Sequence, residues 1–276
     1  MTELATWTEY AYQLAKTAGE KILEHYQSAT PVTPTYKADD SPITIADQAA
    51  HDIIADGLAA FELDKDGPAP LLSEEGRQIP FLERQQWARY WCVDPLDGTK
   101  EFLARNDEFT VNIALIVNHQ PLIGVVYVPA LHQGYLAWRG GGAYLCNQEG
   151  QRTRLRVTTP PSEPLRVLVS RHHGLDYLQP WLARLGPTTL ISQGSALKFC
   201  TLASGGADLF LRLSPTSEWD NAAGQCILEE AGGAVISLDG LPLTYNRAGI
   251  LEQNHFMAVG DKERPWEQVL AGAIPK

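Results

Sequence analysis

The spacing of apolar residues predicts two helices at the start of the chain. Residues 4–27 carry apolar side chains at helical spacing and precede Pro31 and Pro34, so one long amphipathic helix is expected there. A second helix, of about 17 residues by its apolar spacing, is expected after a loop. Thr44 and Asp47 have the spacing of a capping box, which predicts its start.

Short apolar runs then predict strands. In the first half they cover residues 71–72, 90–93, 109–117, 122–128, 134–139 and 142–146, and brief polar turns between them favour a largely antiparallel sheet. A polar, proline-containing stretch at 152–164 is expected to cross into a second half.

In the second half, strand patterns alternate with helix patterns. Strands are predicted at 166–170, 189–192, 207–211, 234–237 and 255–259, and helices near 175–185, 195–204, 219–231 and 263–272. This alternation is typical of an α/β layer. We therefore predict an α+β half at residues 1–157 and an α/β half at residues 158–276.

Composition narrows the class of protein. With 44% hydrophobic and 20% charged residues the chain has an ordinary globular composition. A net charge of −11 argues against a general basic surface for nucleic acid or anionic membranes. The four cysteines form no CxxC pair and are expected to be reduced core thiols. No apolar stretch approaches the length of a membrane span, so we expect a cytoplasmic protein whose membrane association, if any, is peripheral on the inner face.

The densest candidate chemistry lies at residues 94–99, which read DPLDGT. Asp94 is expected where the preceding strand ends, and Asp97 with Gly98 forms a tight turn in which the glycine takes a positive φ. Two carboxylates three residues apart repel each other, and a cation between them would relieve that repulsion. A solvated Asp-Gly turn explains the same residues equally well.

Other acids can likewise be explained by a structural role or by a functional one. Asp47 and Asp220 each stand in the first turn of a predicted helix, where capping alone would account for them. Residues 73–76 (SEEG) would ordinarily form a solvated turn. The Gly194-Ser195 turn precedes a helix whose free N–H groups can hold a phosphate oxygen, although such turns are common.

Four motifs together resemble a known family. Residues 44–47 (TIAD), 73–75 (SEE), 94–99 (DPLDGT) and 219–224 (WDNAAG) are similar, in the same order, to the signatures of the inositol monophosphatase superfamily of magnesium-dependent, lithium-sensitive phosphatases. The resemblance implies an α+β / α/β fold, a layered α-β-α-β-α sandwich of the inositol monophosphatase / sugar phosphatase type.

Finer features resemble the 3′(2′),5′-bisphosphate nucleotidase branch, and within it the bacterial CysQ type. They are residues 37–42 (KADDSP), 100–102 (KEF), 108–115, 194–200 and 215–220. The likeness covers nearly the whole chain and is weakest at 128–165. It implies hydrolysis of the 3′-phosphate of adenosine 3′,5′-bisphosphate to AMP, with the 2′,5′ isomer and the sulfated nucleotide as further substrates, and a link to sulfur assimilation.

The resemblance also implies roles for individual residues. The expected metal ligands, for two or three Mg²⁺ ions with Li⁺ as inhibitor, are Glu74, Asp94, the Leu96 carbonyl, Asp97 and Asp220. Asp47 and Thr99, with Glu74 close by, would take the proton from a metal-activated water that attacks phosphorus in line. No covalent enzyme intermediate is expected.

The expected substrate contacts are Gly98, Thr99, His173, Gly194, Ser195, Lys198, Arg212 and Asp220. Lys198 and Arg212 would neutralise the second phosphate. His173, in the SRHH segment at 170–173, would lie against the adenine. A surface-loop histidine and a structural arginine explain His173 and Arg212 equally well.

Three alternatives compete with this interpretation. An inositol monophosphatase shares the chemistry, but the continuation Lys100-Glu101 counts against it. A fructose-1,6-bisphosphatase is less consistent, because no allosteric extension is present at this length. A catalytically silent metal- or phosphate-binding regulatory protein would be expected to lack a ligand acid or Thr99, and all are present. The expected partner is a small phosphorylated nucleotide, bound by a monomer or homodimer.

Overall fold

Two β-sheets organise the fold. The computed structural model describes residues 2–28, 33–36, 42–63, 67–171, 178–238, 240–247, 251–253 and 255–266. The helices of these residues are α1 (Glu3–Tyr26), α2 (Ile45–Ala59), α3 (Phe81–Arg84), α4 (Thr99–Ala104), α5 (Gln179–Leu185), α6 (Leu197–Ala203) and α7 (Glu218–Glu230), with a 3₁₀ turn at Pro129–Leu131.

The strands are β1 (Thr35–Tyr36), β2 (Pro42–Ile43), β3 (Leu71–Ser73), β4 (Arg89–Asp97), β5 (Thr110–Val117), β6 (Gln120–Val128), β7 (Gln133–Trp138), β8 (Gly142–Cys146), β9 (Arg152–Arg154), β10 (Leu165–Ser170), β11 (Thr188–Gln193), β12 (Leu209–Arg212), β13 (Thr216–Ser217), β14 (Ala234–Ser237), β15 (Glu252–Gln253) and β16 (Phe256–Val259). The larger sheet has the order β3-β4-β5-β6-β7-β8-β9 and the smaller one the order β11-β10-β12-β16-β14.

Three hydrophobic clusters define the layers between these elements. One face of the larger sheet packs on α1 and α2, and its other face packs on α6 and α7. Along β5, for example, Leu115 packs in the cluster with α1 and α2, whereas Ala114 and Ile116 pack in the cluster with α6 and α7, as the alternation of a strand requires. The smaller sheet covers the far side of α6 and α7, and α5 covers that sheet in turn.

This arrangement confirms the predicted layered α-β-α-β-α fold. The larger sheet is antiparallel except for the β3–β4 pair, and the smaller one is mixed, with β10 parallel to both β11 and β12. The division into halves at residue 157 stays a prediction. All four cysteines are free and buried, as expected. Within the described part of the chain, no helix is both long and apolar enough to cross a membrane.

Some local elements were not predicted. The stretch at 152–164 was expected only to cross into the second half, and it begins with β9, which pairs with β8 at the edge of the larger sheet. Two of its three residues are charged and only Thr153 favours a strand, so the pairing with β8 largely determines this conformation. Residues 267–272 of the predicted helix at 263–272 lie outside the described residues.

Close packing of α7 on β6 depends on Gly124. A β-carbon at this position would lie 2.4 Å from the Ala223 carbonyl oxygen and 2.8 Å from the Cys226 β-carbon. Both neighbours belong to α7, whose backbone therefore approaches the sheet more closely than any side chain at 124 would permit. Asp220, one of the candidate metal ligands, stands in the first turn of α7, so this contact also fixes how close Asp220 lies to the sheet.

We predict that Gly124→Ala lowers the free energy of unfolding by about 1–3 kcal/mol, the usual cost of overpacking a core. Denaturant unfolding followed by fluorescence measures it. Gly260→Ala is the matched control, because its β-carbon would meet nothing nearer than the Thr158 carbonyl oxygen at 3.4 Å. Equal stability of both variants would contradict the proposed role of the close approach.

Candidate active site

A β-bulge brings Asp94 and Asp97 to the same side of β4. Asp94 pairs with Asn112 and Asp97 with Thr110, so three steps on β4 oppose two on β5. In a regular strand, residues three apart face opposite sides of the sheet, and the extra residue in β4 reverses that. The strand was expected to end at Asp94, but it continues to Asp97.

The turn after this strand takes the predicted conformation, and it leads into α4, which was not predicted from the sequence. Gly98 takes a φ of 92° and serves as the N-cap position of α4, whose first residue is Thr99. The left-handed conformation favours glycine at this position. It turns the chain so that the Thr99 hydroxyl reaches Asp47 and lies near the Leu96 carbonyl.

Asp220 meets these two acids from the other half of the chain. One carboxylate oxygen from each of Asp94, Asp97 and Asp220 lies within 4.8 Å of the others. Glu74 follows β3, the neighbour of β4, and its side chain hydrogen-bonds to Asp94. The structure therefore brings together all four side-chain carboxylates that the family resemblance implied as metal ligands.

Asp97 is held by three groups that use one of its oxygens. Its Oδ2 accepts the Ala196 backbone N–H at 2.7 Å and the Asn112 side-chain N–H at 3.1 Å, and the Thr110 hydroxyl lies 3.5 Å away. The orientation fixed in this way leaves the other oxygen, Oδ1, for the centre of the cluster.

Asp220 caps a helix and faces the cluster at the same time. Its Oδ2 accepts the Ser217 backbone N–H at 3.0 Å and the Thr216 hydroxyl, and with Ser217 it completes a capping box at the start of α7. The sequence predicted this cap, and the structure adds that the carboxylate meets Asp94 and Asp97.

Asp47 also combines a cap with a second contact. Its Oδ2 accepts the Thr44 backbone N–H at 2.8 Å within the predicted capping box, and its Oδ1 accepts the Thr99 hydroxyl at 3.1 Å. The Thr99 hydroxyl oxygen is also 3.5 Å from the Leu96 carbonyl oxygen. The structure thus brings together the residue pair implied as a proton relay.

Electrostatic repulsion within the cluster is large. Burial raises the pKa of Asp94 well above its usual range, and the charges of Glu74 and Asp97 raise it further. Burial and the Asp220 charge raise the pKa of Asp97 to about 7. Burial also raises the pKa of Asp220, although its hydrogen bonds act in the opposite direction.

The donor set fits hard divalent cations. Carboxylate and carbonyl oxygens are the ligands that Mg²⁺ prefers, and a bound cation would relieve the repulsion among the buried acids. Glu74, Asp94, Asp97 and Asp220, with the Leu96 carbonyl, are the groups that would hold it. No sulfur or imidazole group belongs to the cluster found among the described residues, which argues against a softer metal.

The predicted substrate cations lie beside the turn before α6. Lys198 is buried and donates from Nζ to the Ser195 carbonyl at 2.7 Å and the Gln193 carbonyl at 3.3 Å. Burial lowers its pKa to about 8, although the Asp97 charge acts in the opposite direction. Arg212 donates to backbone carbonyls of Ser214 and Pro215. Both cations therefore position backbone in this structure.

Two of the remaining predicted substrate contacts, Gly194 and Ser195, lie in the turn before α6. Ser195 has a φ of 49°, and its hydroxyl accepts the Leu197 backbone N–H at 3.4 Å. The Gly194 N–H donates to Glu108 Oε2 at 2.8 Å. His173 and residues 37–41 of the KADDSP motif lie outside the described residues.

The groups that support the acidic cluster were not predicted from the sequence. Thr110 and Asn112 are fully buried polar residues two apart in the otherwise apolar β5, so they share one face. Two polar residues on one face of an apolar strand indicate buried hydrogen-bonding groups, and this pattern could have been used to predict the groups that hold Asp97. His51, whose Nδ1 lies 2.8 Å from the Ser73 hydroxyl beside Glu74, carried no such signal. It lines a cavity of about 400 Å³ that none of the clustered acids borders.

Comparison with known proteins agrees with this geometry. The sequence profile of the inositol monophosphatase family matches residues 3–271. The chain is 45% identical to the 3′(2′),5′-bisphosphate nucleotidase CysQ of Escherichia coli over 234 residues, which cover 84% of this chain and 91% of that protein. Its counterpart from Salmonella typhimurium is 45% identical over 238 residues, 86% of this chain and 93% of that protein.

A solved structure gives the same result for the fold. The crystal structure of CysQ from Bacteroides thetaiotaomicron, a bacterial member of the inositol monophosphatase family, superposes with a TM-score of 0.80 at 37% identity and covers 92% of this chain and 97% of that one. The profile match spans nearly the whole sequence, and the fold and the order of the motifs agree with it. The chain therefore belongs to the inositol monophosphatase family.

Proposed function

We propose that the protein is a magnesium-dependent, lithium-sensitive 3′(2′),5′-bisphosphate nucleotidase that hydrolyses adenosine 3′,5′-bisphosphate to AMP and phosphate. The convergence of Asp94, Asp97 and Asp220 carries the proposal, because it provides the oxygen ligands that metal-assisted phosphate hydrolysis requires. The choice of a nucleotide substrate is supported by the 45% identity to enzymes of that name. The sulfated nucleotide, the 2′,5′ isomer, a cytoplasmic location and a link to sulfur assimilation belong to the same proposal.

Divalent cations bound by the acidic cluster would supply positive charge for the phosphate and lower the pKa of a water molecule. The protein contributes the arrangement of its carboxylates. Because Asp97 and Asp220 each use one oxygen for hydrogen bonds within the protein, their remaining oxygens are held in fixed directions. Such preorganisation spares the site a reorganisation cost during the reaction.

Thr99 and Asp47 are placed for proton transfer. The Thr99 hydroxyl donates to Asp47 Oδ1, so the lone pairs of its oxygen can accept a proton from the attacking water. Asp47 would receive the threonine proton at the same time. Burial raises the pKa of Asp47, which makes this carboxylate a stronger base than an exposed one.

The turn before α6 is the proposed phosphate- and ribose-binding element. The turn contains Gly194 and Ser195, and the proposed cations for the substrate are Lys198 and Arg212. Contact of His173 with the adenine stays a prediction. Lys198 supports the turn from beneath through the carbonyls of Gln193 and Ser195. Burial raises the pKa of Asp220, and the charges of Arg212 and Lys198 act in the opposite direction. These two positive charges would also attract an anionic substrate to the same place.

The first prediction from this proposal concerns the substrate. With Mg²⁺, phosphate release from adenosine 3′,5′-bisphosphate should exceed release from inositol 1-phosphate, and Li⁺ should suppress it. Asp94→Asn should reduce the rate by at least about 100-fold, because even the outer groups of a metal site contribute 10–100-fold. Asp56→Asn, an exposed acid on α2, is the matched control.

Preference for inositol 1-phosphate would keep the metal site and overturn the nucleotide proposal. Activity toward neither substrate, with metal still bound, would favour a silent metal-binding protein.

The second prediction tests the relay. Thr99→Ala should lower kcat by about 10²–10⁴-fold, the usual contribution of a positioned acid or base, whereas Thr99→Ser should keep most of it. Single-turnover phosphate release measures the chemical step directly. If alanine and serine variants react equally fast, the Thr99 hydroxyl takes no part in proton transfer.

The third prediction follows from the raised carboxyl pKa values. An unfolded carboxyl titrates near 4, whereas the pKa of Asp97 is about 7 and burial raises the pKa of Asp94 as well, so in this pH range the folded protein binds more protons than the unfolded one. The free energy of unfolding of the metal-free protein should therefore fall as pH rises from about 5 to 8. Mg²⁺ should raise the melting temperature more at pH 8 than at pH 5, because protons compete with it.

Calorimetry with and without EDTA tests this dependence. Asp94→Asn removes one repelled charge, so its metal-free form should show a shallower decline with pH and a smaller response to Mg²⁺. An equal Mg²⁺ effect at both pH values would show that the acids are already ionised without metal.

A further inference from the structure

Glu108 collects hydrogen bonds from two separate segments of the second half of the chain. Its carboxylate accepts Arg171 Nε at 3.0 Å and Nη2 at 2.6 Å, and it also accepts the Gly194 backbone N–H at 2.8 Å. Glu108 lies just before β5 of the larger sheet, whereas Arg171 and Gly194 follow β10 and β11 of the smaller one. One side chain thus ties two strand ends of one sheet to the other sheet.

Arg171 strengthens the same junction. Its Nη2 also donates to the Ser192 carbonyl at 3.3 Å, so the guanidinium bridges the end of β11 to Glu108. The planar donor pattern of arginine suits this double contact with a carboxylate, which a lysine cannot reproduce. Arg171 also directly precedes the segment that contains His173.

The opposite end of the turn is held in a similar way. The Ala196 N–H donates to Asp97, a proposed metal ligand, at 2.7 Å. Residues 194–196 are therefore fastened at one end by Glu108 and at the other by Asp97, both from the larger sheet. Ser195, between the two, has the strained positive φ of 49° that such fastening maintains.

We propose that Glu108 and Arg171 form a positioning pair that sets the Gly194–Ala196 turn for substrate binding; this inference rests on the proposed function. The pair is partly exposed, with 38% of the Arg171 and 22% of the Glu108 side chain accessible. Exposed ion pairs contribute little to stability. Its main effect is therefore the orientation of the turn, and it acts on substrate affinity rather than on the chemical step.

The direction in which Glu108→Ala changes KM distinguishes a positioning role of Glu108 from a purely electrostatic one. Removal of a negative charge near an anionic substrate should lower KM if only the charge matters. If Glu108 positions the turn, KM for adenosine 3′,5′-bisphosphate should instead rise by about tenfold or more, since a misplacement of about 1 Å can cost 10²-fold. The value of kcat and the Mg²⁺ concentration for half-maximal rate should change less than about threefold, because Asn112 of the larger sheet still holds Asp97.

The arginine variants complete the design. Arg171→Ala should raise KM as Glu108→Ala does, the double variant should be no worse than either single one, and Arg171→Lys should restore part of the loss. Hydrogen–deuterium exchange of the peptide that contains residues 190–198 should be faster in both alanine variants. The control is Glu9→Ala with Arg152→Ala, an ion pair of similar exposure, 36% and 41%, whose Arg152 lies in β9 at the far edge of the larger sheet.

The outcomes distinguish this inference from the proposed function. If the wild-type protein releases phosphate from the nucleotide but Glu108→Ala lowers or does not change KM, or exchange of the turn is unaltered, the positioning role is overturned. If the wild-type protein does not act on the nucleotide, the proposed function fails. KM for inositol 1-phosphate, together with the exchange rates, then decides whether the pair positions the turn.

Discussion

The repulsion between buried carboxylates is the constraint on which the site depends. Asp94, Asp97 and Asp220 lie within 4.8 Å of one another, and each has a pKa raised by burial. A chain would ordinarily separate such groups. Here the bulge in β4, the cap of α7 and the close approach of that helix at Gly124 together prevent separation. These three features therefore hold the negatively charged carboxylates close together, in an arrangement that a cation can occupy.

The site is a junction between layers rather than a pocket within one of them. The larger sheet provides Asp94 and Asp97, α7 provides Asp220, and the turn before α6 provides the N–H that orients Asp97. Since the same helices fill the space between the two sheets, packing and catalysis share one set of contacts. Displacement of either sheet would alter both.

The sequence predicted the parts of the site that depend on neighbouring residues. The two capping acids, Asp47 and Asp220, were identified from spacing alone, and the positive φ of Gly98 was expected from its turn. The four signatures led to the family and, through it, to the layered fold. Periodicity also located most strands to within a residue or two.

What the sequence did not predict depends on partners distant along the chain. The bulge that aligns Asp94 with Asp97 is a matter of register against β5, and β9 exists because β8 offers an edge. The contact between Glu108 and Gly194 spans 86 residues, and neither residue type announces it. Hydrogen bonds of this kind become visible only when the two sheets are placed together.

The two capping boxes have a consequence for substitutions at their acids. Asp47 and Asp220 occupy the third position of their helices, and an Asn side-chain oxygen there can accept the same backbone N–H of the N-cap residue. An Asp-to-Asn change at 47 or 220 would therefore keep the helix start while it removes a charge that the proposed chemistry uses. The stability of the fold and the capacity for hydrolysis would then be separated by a single substitution.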